Sequence, residues 1–213
     1  MIKLFESFTK EAEIMKWLKD YDLQYKRNLK AEAYEIDYNG AVSIEGSFLL
    51  KDVMVGRKVV ISKLPVNFEW VSDDFICKEV SMTTLVGGPK HVGGLYLCSI
   101  NKLNNLEGCP ETIGGNFDFS KNPVISLKHY PKKIEGETYK NNTPVGIFTD
   151  EQFELIKNNA DLFDSYKVFK IENGLVYYDG KFASRFFNKL EYDNYNLDTL
   201  NNAADKMGLE VMW

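Results

Sequence analysis

Leu85-Val86-Gly87-Gly88-Pro89-Lys90-His91-Val92-Gly93-Gly94 is followed, in the same frame, by Leu106-Glu107-Gly108-Cys109-Pro110-Glu111-Thr112-Ile113-Gly114-Gly115. Pro89, Pro110 and Pro131 mark the shared frame, and their spacing of about 21 residues falls in the range of short stacked repeats. Rows appear when the chain is read at that offset. Leu64, Leu85, Leu106 and Leu127 form one, and Ile61, Met82, Leu103, Val124 and Val145 a second. Val71, Val92, Ile113 and Ile134 form a third, Phe75, Tyr96 and Phe117 a fourth, and Cys77, Cys98 and Phe119 a fifth. Polar positions keep the same frame, with Gly94, Gly115 and Gly136 in one row and Asn101 and Asn122 in another. The rows run forward to Phe148.

Within one unit, Phe117-x-Phe119-x-x-Asn122-x-Val124-x-x-Leu127 follows the L-x-L-x-x-N-x-L-x-x-L skeleton of leucine-rich repeats. A short strand points alternate side chains inward. The Asn then turns the chain, and its amide can satisfy backbone groups that the turn would leave unpaired. A unit this short has no room for a full return helix, so an extended or 3₁₀ back side is expected. The glycine pair before each strand reads as a tight corner.

On these residues the chain resembles short bacterial-type leucine-rich-repeat proteins. It is closer still to a family of small repeat proteins common in large tailed phages and some bacteria. Trp17-Leu18, the hairpin stretch Tyr34 to Gly46, the step Leu64-Pro65-Val66-Asn67-Phe68, and the units Leu85 to Leu103 and Leu106 to Val124 carry the likeness. It covers about residues 10–136. Val80 stands where the pattern has Asn and Asp73 where it has Gly, so the first full unit is expected to be irregular; Pro123 is also atypical. The resemblance implies a fold and a binding style but no reaction. It also implies a phage accessory role, such as binding or inhibiting a host factor or defence protein.

The flanks differ from the repeats. Residues 8–23 read as an amphipathic helix, with Thr9 as N-cap and Phe8, Ile14, Trp17, Leu18 and Tyr21 on one side. Tyr34–Tyr38 and Ala41–Ile44 flank Asn39-Gly40 as a hairpin, a natural lid for the first repeat. Phe48–Leu50 and Lys58–Ile61 read as further strands. After a loop at 137–147, Thr149 and Gln152 form a capping box opening a second helix. A hairpin follows around Glu172-Asn173-Gly174, then helical patterns at 181–192 and 197–207, with Gly208 as C-cap before Leu209–Trp213. The expected fold is therefore an α+β solenoid, a short leucine-rich-repeat-like parallel sheet. Residues 1–50 form an N-terminal helix and hairpin cap, 51–147 the solenoid, and 148–213 a C-terminal α+β cap or small domain.

Composition bounds the function. With 213 residues, 44% hydrophobic and 27% charged, the chain can bury a real core, and 14 Phe with 12 Tyr assign much of that burial to rings. A net charge of −5 disfavours nucleic acid as partner, which calls for a basic footprint. No window approaches the ~18 apolar residues of a membrane span. The three cysteines and the lack of an apolar leader segment point to a reducing, cytoplasmic setting, the host cytoplasm if phage-encoded. Oligomeric state is left open.

Candidate chemistry is sparse. His91 and His129 are the only histidines, and neither has a second ligand at metal spacing, so no metal is expected. Cys77 and Cys98 share a row and read as buried small hydrophobes; Cys109 lies in a more open step. Gly87-Gly88-Pro89-Lys90 lacks the phosphate-loop pattern, and Asp73-Asp74 and Asp161/Asp164 read as solvated carboxylates rather than acid–base pairs. No catalytic residue and no cofactor is assigned. The expected site is a surface: if the Phe and Cys rows point inward, Asp74, Ile76, Lys78, Leu95, Leu97, Ser99, Asn116, Asp118 and Ser120 point out. Ile76, Leu95 and Leu97 would then make an apolar patch of the kind that binds another protein, unless Leu95 or Leu97 tucks inward through a register slip. A second candidate is the aromatic group Tyr177, Tyr178, Tyr192, Tyr195 and Trp213, which cap packing explains equally well. The expected function is non-enzymatic protein–protein recognition. The alternatives are an enzyme or nucleotide-binding unit in the C-terminal third, with the repeats as targeting arm, and a self-assembling structural protein.

Overall fold

A computed structural model describes residues 11–18, 34–50, 61–192 and 195–212. The expected N-cap Thr9, the flanking Phe8 and Tyr21, the strand over 58–60, and Trp213 lie outside the described residues. Residues 11–18 form helix α1, whose Ile14 and Leu18 are buried at helical spacing.

Two parallel-rich sheets carry the repeating part. The first is six-stranded, in the order β1-β2-β4-β6-β8-β10, and the second is five-stranded, β11-β9-β7-β5-β3. In chain order the strands are β1 (Tyr34–Ile36), β2 (Ala41–Ile44), β3 (Phe48–Leu49), β4 (Asn67–Val71), β5 (Phe75–Ile76) and β6 (His91–Val92). They continue as β7 (Tyr96–Leu97), β8 (Thr112–Ile113), β9 (Phe117–Asp118), β10 (Lys133–Ile134) and β11 (Thr138–Tyr139). The period is directly visible in the pairing: Trp70 lies beside His91, His91 beside Thr112, and Thr112 beside Lys133. Phe75, Tyr96, Phe117 and Thr138 pair in the same way in the second sheet.

Each unit thus holds two short strands, one on either side of the glycine corner, where the sequence suggests only the second. A two-residue strand has no alternation to read, so β6, β8 and β10 leave little trace in hydropathy. The corner is glycine for a steric reason. A Cβ on Gly93 would overlap the Ser72 carbonyl oxygen, and one on Gly114 the Gly93 carbonyl oxygen. The backbones of successive corners stack without room for a side chain.

The core lies between the sheets. Val71, Val92 and Ile113 face it from the first, and Phe75, Tyr96 and Phe117 from the second, all within 2% of full burial. The rings form a pile: Phe48–Phe75 at 5.4 Å, Phe75–Tyr96 at 5.5 Å and Tyr96–Phe117 at 5.9 Å between centroids. The Leu85/Leu106/Leu127 and Met82/Leu103/Val124/Val145 rows close the core from the return segment.

Side chains repeat as faithfully as the backbone. The Asn101 amide donates to the Cys77 and Cys98 carbonyls, while its Oδ1 accepts from Val80 and Met82 N–H at 3.1 and 3.0 Å. Asn122 continues the ladder, donating to Cys98 and Phe119 carbonyls and accepting from Leu103 N–H. Val80, which breaks the expected Asn pattern, is therefore served by the Asn of the following unit. Thr84, Asn105 and Ser126 form another row, each accepting through its side-chain oxygen from the N–H two residues on. Left-handed backbone recurs at Glu79, Ile100, Lys121 and Asn142, and at Gly87, Gly108 and His129.

The hairpin expected as a lid is woven into the sheets. β1 and β2 pair antiparallel, and β2 pairs parallel with β4 through a register shift between Val42 and Ser43. At the other end, a 3₁₀ turn (Pro144–Ile147) leads to α2 (Asp150–Asn158) and α3 (Ala160–Tyr166). Thr149 and Gln152 form the expected capping box. Strands β12 (Phe169–Glu172) and β13 (Leu175–Asp179) form the antiparallel hairpin, followed by α4 (Gly180–Lys189), α5 (Leu197–Lys206) and β14 (Glu210–Met212). The last residues, which carry no strand signal beyond their hydrophobicity, pair parallel with β13. Phe148, next in the leucine row, is the hub of this region, with Phe163, Phe169 and Phe187 around it at 5.7–5.9 Å. Its core is continuous with that of the repeating part.

Candidate protein-binding face

The outer face of the second sheet carries one registered row: Leu49, Ile76, Leu97, Asp118 and Tyr139. Alternation puts Phe75/Cys77, Tyr96/Cys98 and Phe117/Phe119 inward, each completely buried, which turns the residues between them outward. Ile76 and Leu97 are half-buried rather than fully exposed, because row neighbours at ~4.8 Å shade one another's flanks. Tyr139, at the end of the row, is 39% exposed. Its hydroxyl donates to the Glu137 carboxylate, which pushes the phenol above its ordinary range.

The flanking positions have structural work. Asp74 Oδ1 accepts from Leu95 N–H at 2.8 Å, Asn116 Oδ1 from Glu137 N–H at 2.9 Å, and Ser47 Oγ from Asp74 N–H at 3.2 Å. Leu95 falls in that same row, has no acceptor to offer, and is half-buried beside the Gly115 corner. Asp118 Oδ1 accepts from Ser120 N–H, a local turn. Lys78 and Ser120 are half-buried at the far side.

Ser99 is a correction: it is 2% exposed and does not face solvent. The strand ends at Leu97, and alternation ends one residue later, at the buried Cys98. Ile100 is left-handed, the chain turns under Ser99, and the Ser99 carbonyl accepts from Glu79 N–H. Leu49 and Tyr139 were not among the nominated residues. Tyr139 could have been found by carrying the 21-residue period one step beyond Asp118. Leu49 could not, because its partner Ile76 lies off that period across a longer first step.

The first sheet presents a mainly polar outer row instead, Ser43, Trp70, His91, Thr112 and Lys133, with the exposed Trp70 its one large apolar side chain. His91 Nδ1 lies 2.8 Å from Thr112 Oγ1. Beside it runs an alternating ladder, Glu69–Lys90 at 2.9 Å and Glu111–Lys132 at 2.6 Å. Glu69 holds the Lys90 ammonium above its usual range, and Lys132 holds the Glu111 carboxyl below its own. These exposed pairs occupy the charges of this face with one another.

Elsewhere the titratable groups are accounted for by packing. Burial pushes the Cys77 thiol up to about 12 and those of Cys98 and Cys109 well above the ordinary range, so none is poised as a thiolate. A groove of about 440 Å³ is lined by Ser126, His129 and Asp164 among others. Ser126 Oγ donates to Asp164 Oδ2 at 2.6 Å, directly and with no imidazole between them. Ser126 already belongs to the Thr84/Asn105 turn row, so this bond fastens α3 to the last unit. Tyr178 is fully buried, its hydroxyl 3.2 Å from that of Tyr195, inside the ring cluster around Phe187. Among the described residues no three His, Cys, Asp or Glu side chains are grouped to hold a metal, and no helix is long and apolar enough to cross a membrane.

The chain is thus an α+β protein with parallel, repeat-like sheets. No family model, curated protein or solved structure matches it.

Proposed function

We propose that this chain is a leucine-rich-repeat-like solenoid acting as a non-enzymatic recognition module, and that a protein partner docks on the outer face of the five-stranded sheet. The observation that carries this reading is the in-register row Leu49, Ile76 and Leu97, apolar side chains on a solvent-side sheet face, continued by Asp118 and Tyr139. Apolar side chains with a polar and aromatic margin are the composition of protein interfaces. The face is built on rigid, short-period strands, which lowers the ordering cost of binding. A role as a phage accessory protein directed at a host factor rests on the sequence resemblance alone.

The test compares capture by the wild-type chain with capture by a folded Ile76→Lys/Leu97→Lys variant. A protein retained by the wild type and lost from the variant supports the face. Equal capture by both, with matched thermal melting curves, removes it.

A further inference from the structure

Strand β12 is an edge of the three-stranded sheet β12-β13-β14. Its register with β13 pairs Lys170 with Tyr177, Ile171 with Val176 and Glu172 with Leu175, and Asp179 N–H donates to the Val168 carbonyl at 2.9 Å. Antiparallel bonding alternates along a strand. Residues 168, 170 and 172 therefore bond toward β13, and the N–H and C=O of Ile171 point away from it. Around that outward pair, Lys170, Ile171 and Glu172 are all exposed, Ile171 at 37%, and Leu175 across the hairpin is 51% exposed.

We propose that this edge is the contact surface for a second copy of the chain, joined strand to strand about a two-fold axis through Ile171. The argument is self-complementarity. In an antiparallel pair centred on Ile171, the two Ile171 residues exchange both of their outward backbone hydrogen bonds. Lys170 of each copy then lies opposite Glu172 of the other. An axis at Lys170 or Glu172 would instead set like charges face to face and point the wrong backbone groups outward. Within one chain Lys170 and Glu172 already pair at 2.5 Å on one side of the strand. In the dimer the charges of the two copies alternate around the axis. Ile171 lies on the same side of its strand as the buried Phe169, so the two isoleucines would extend the aromatic core across the junction. Edge strands are commonly protected by lone charges against such pairing; here the charges match their own two-fold image. The surface is isologous and closes on itself, giving a dimer and not a fibre. With so short a strand the contact belongs to the weak, concentration-dependent class.

Sedimentation velocity on the full chain over a dilution series tests this. The wild type should show a dimer that dissociates on dilution. Ile171→Pro, which removes the outward N–H and the isoleucine side chain but none of the backbone bonds to β13, should abolish it, as should Lys170→Glu or Glu172→Lys alone. The double swap Lys170→Glu/Glu172→Lys, which restores complementarity, should bring the dimer back. If Ile171→Pro does not fold, the charge series decides on its own. A wild type that stays monomeric at its highest soluble concentration overturns the proposal. So does a dimer that folded Ile171→Pro leaves intact, or one that the double swap fails to rescue.

Discussion

Replacing Asn101 by alanine tests the ladder on which the repeating units depend. Asn101 is 8% exposed, and its Oδ1 accepts from the N–H groups of Val80 and Met82, both fully buried. Truncation leaves two buried donors without this partner. At about 1–3 kcal/mol for each of the two donors left unpaired, the loss is about 2–6 kcal/mol. Asn122 serves one such donor, Leu103 N–H, so Asn122→Ala should cost about 1–3 kcal/mol. Both variants also lose bonds to carbonyls, Cys77 and Cys98 in one case and Cys98 and Phe119 in the other, so that contribution largely cancels in the comparison. Against a total of roughly 5–15 kcal/mol for a domain, Asn101→Ala should lie near the limit of folding. Urea unfolding followed by circular dichroism measures both, the midpoint falling further for Asn101→Ala at unchanged slope. A cost below about 1 kcal/mol for Asn101→Ala, or an equal or larger cost for Asn122→Ala, would refute the account of Val80 as a position served by the next unit's Asn.

Two further outcomes follow from the same geometry. Gly93→Ala and Gly114→Ala should each destabilise by about 2 kcal/mol or more, since the new Cβ falls on backbone that cannot yield. Gly46→Ala, with φ +111 and open space around it, meets no clash and should cost only the strain of a side chain at positive φ, about 1–2 kcal/mol, and thermal melts of the three variants check the order. Asp164 is raised above 3.8, first by burial, with Ser126 and Lys128 opposing. A carboxyl raised in the folded state binds its proton more tightly there, so its contribution is fully present below the unfolded value and lost as pH rises through the folded one. Asp164→Asn should flatten that part of the stability–pH profile, and an unchanged profile would contradict the assignment.

Much of the architecture was legible because it is local chemistry repeated. The Asn101/Asn122 ladder, the glycine corners, the Thr149/Gln152 box and the Asn173-Gly174 turn, with φ of 51° and 82°, each need particular residue types at particular offsets. The candidate face followed from the same alternation as far as Ile76 and Leu97. It failed at Ser99, where the strand had already ended and the turn buried what counting by two placed outside.

By itself the sequence determined the period, the inward rows and the corner residues, because each depends on groups within one unit or its image 21 residues away. Tertiary structure alone decided that each unit makes two strands, since pairs such as His91–Val92 become strands only through neighbours on either side. It also decided that Leu49 joins the face across an irregular first step, and that Glu210–Met212 lies parallel to β13. These are pairings between segments with no common offset. The free energy that selects them comes from burial around Phe48 and from the packing of Phe148 on Phe163, Phe169 and Phe187, partners that no repeat offset encodes.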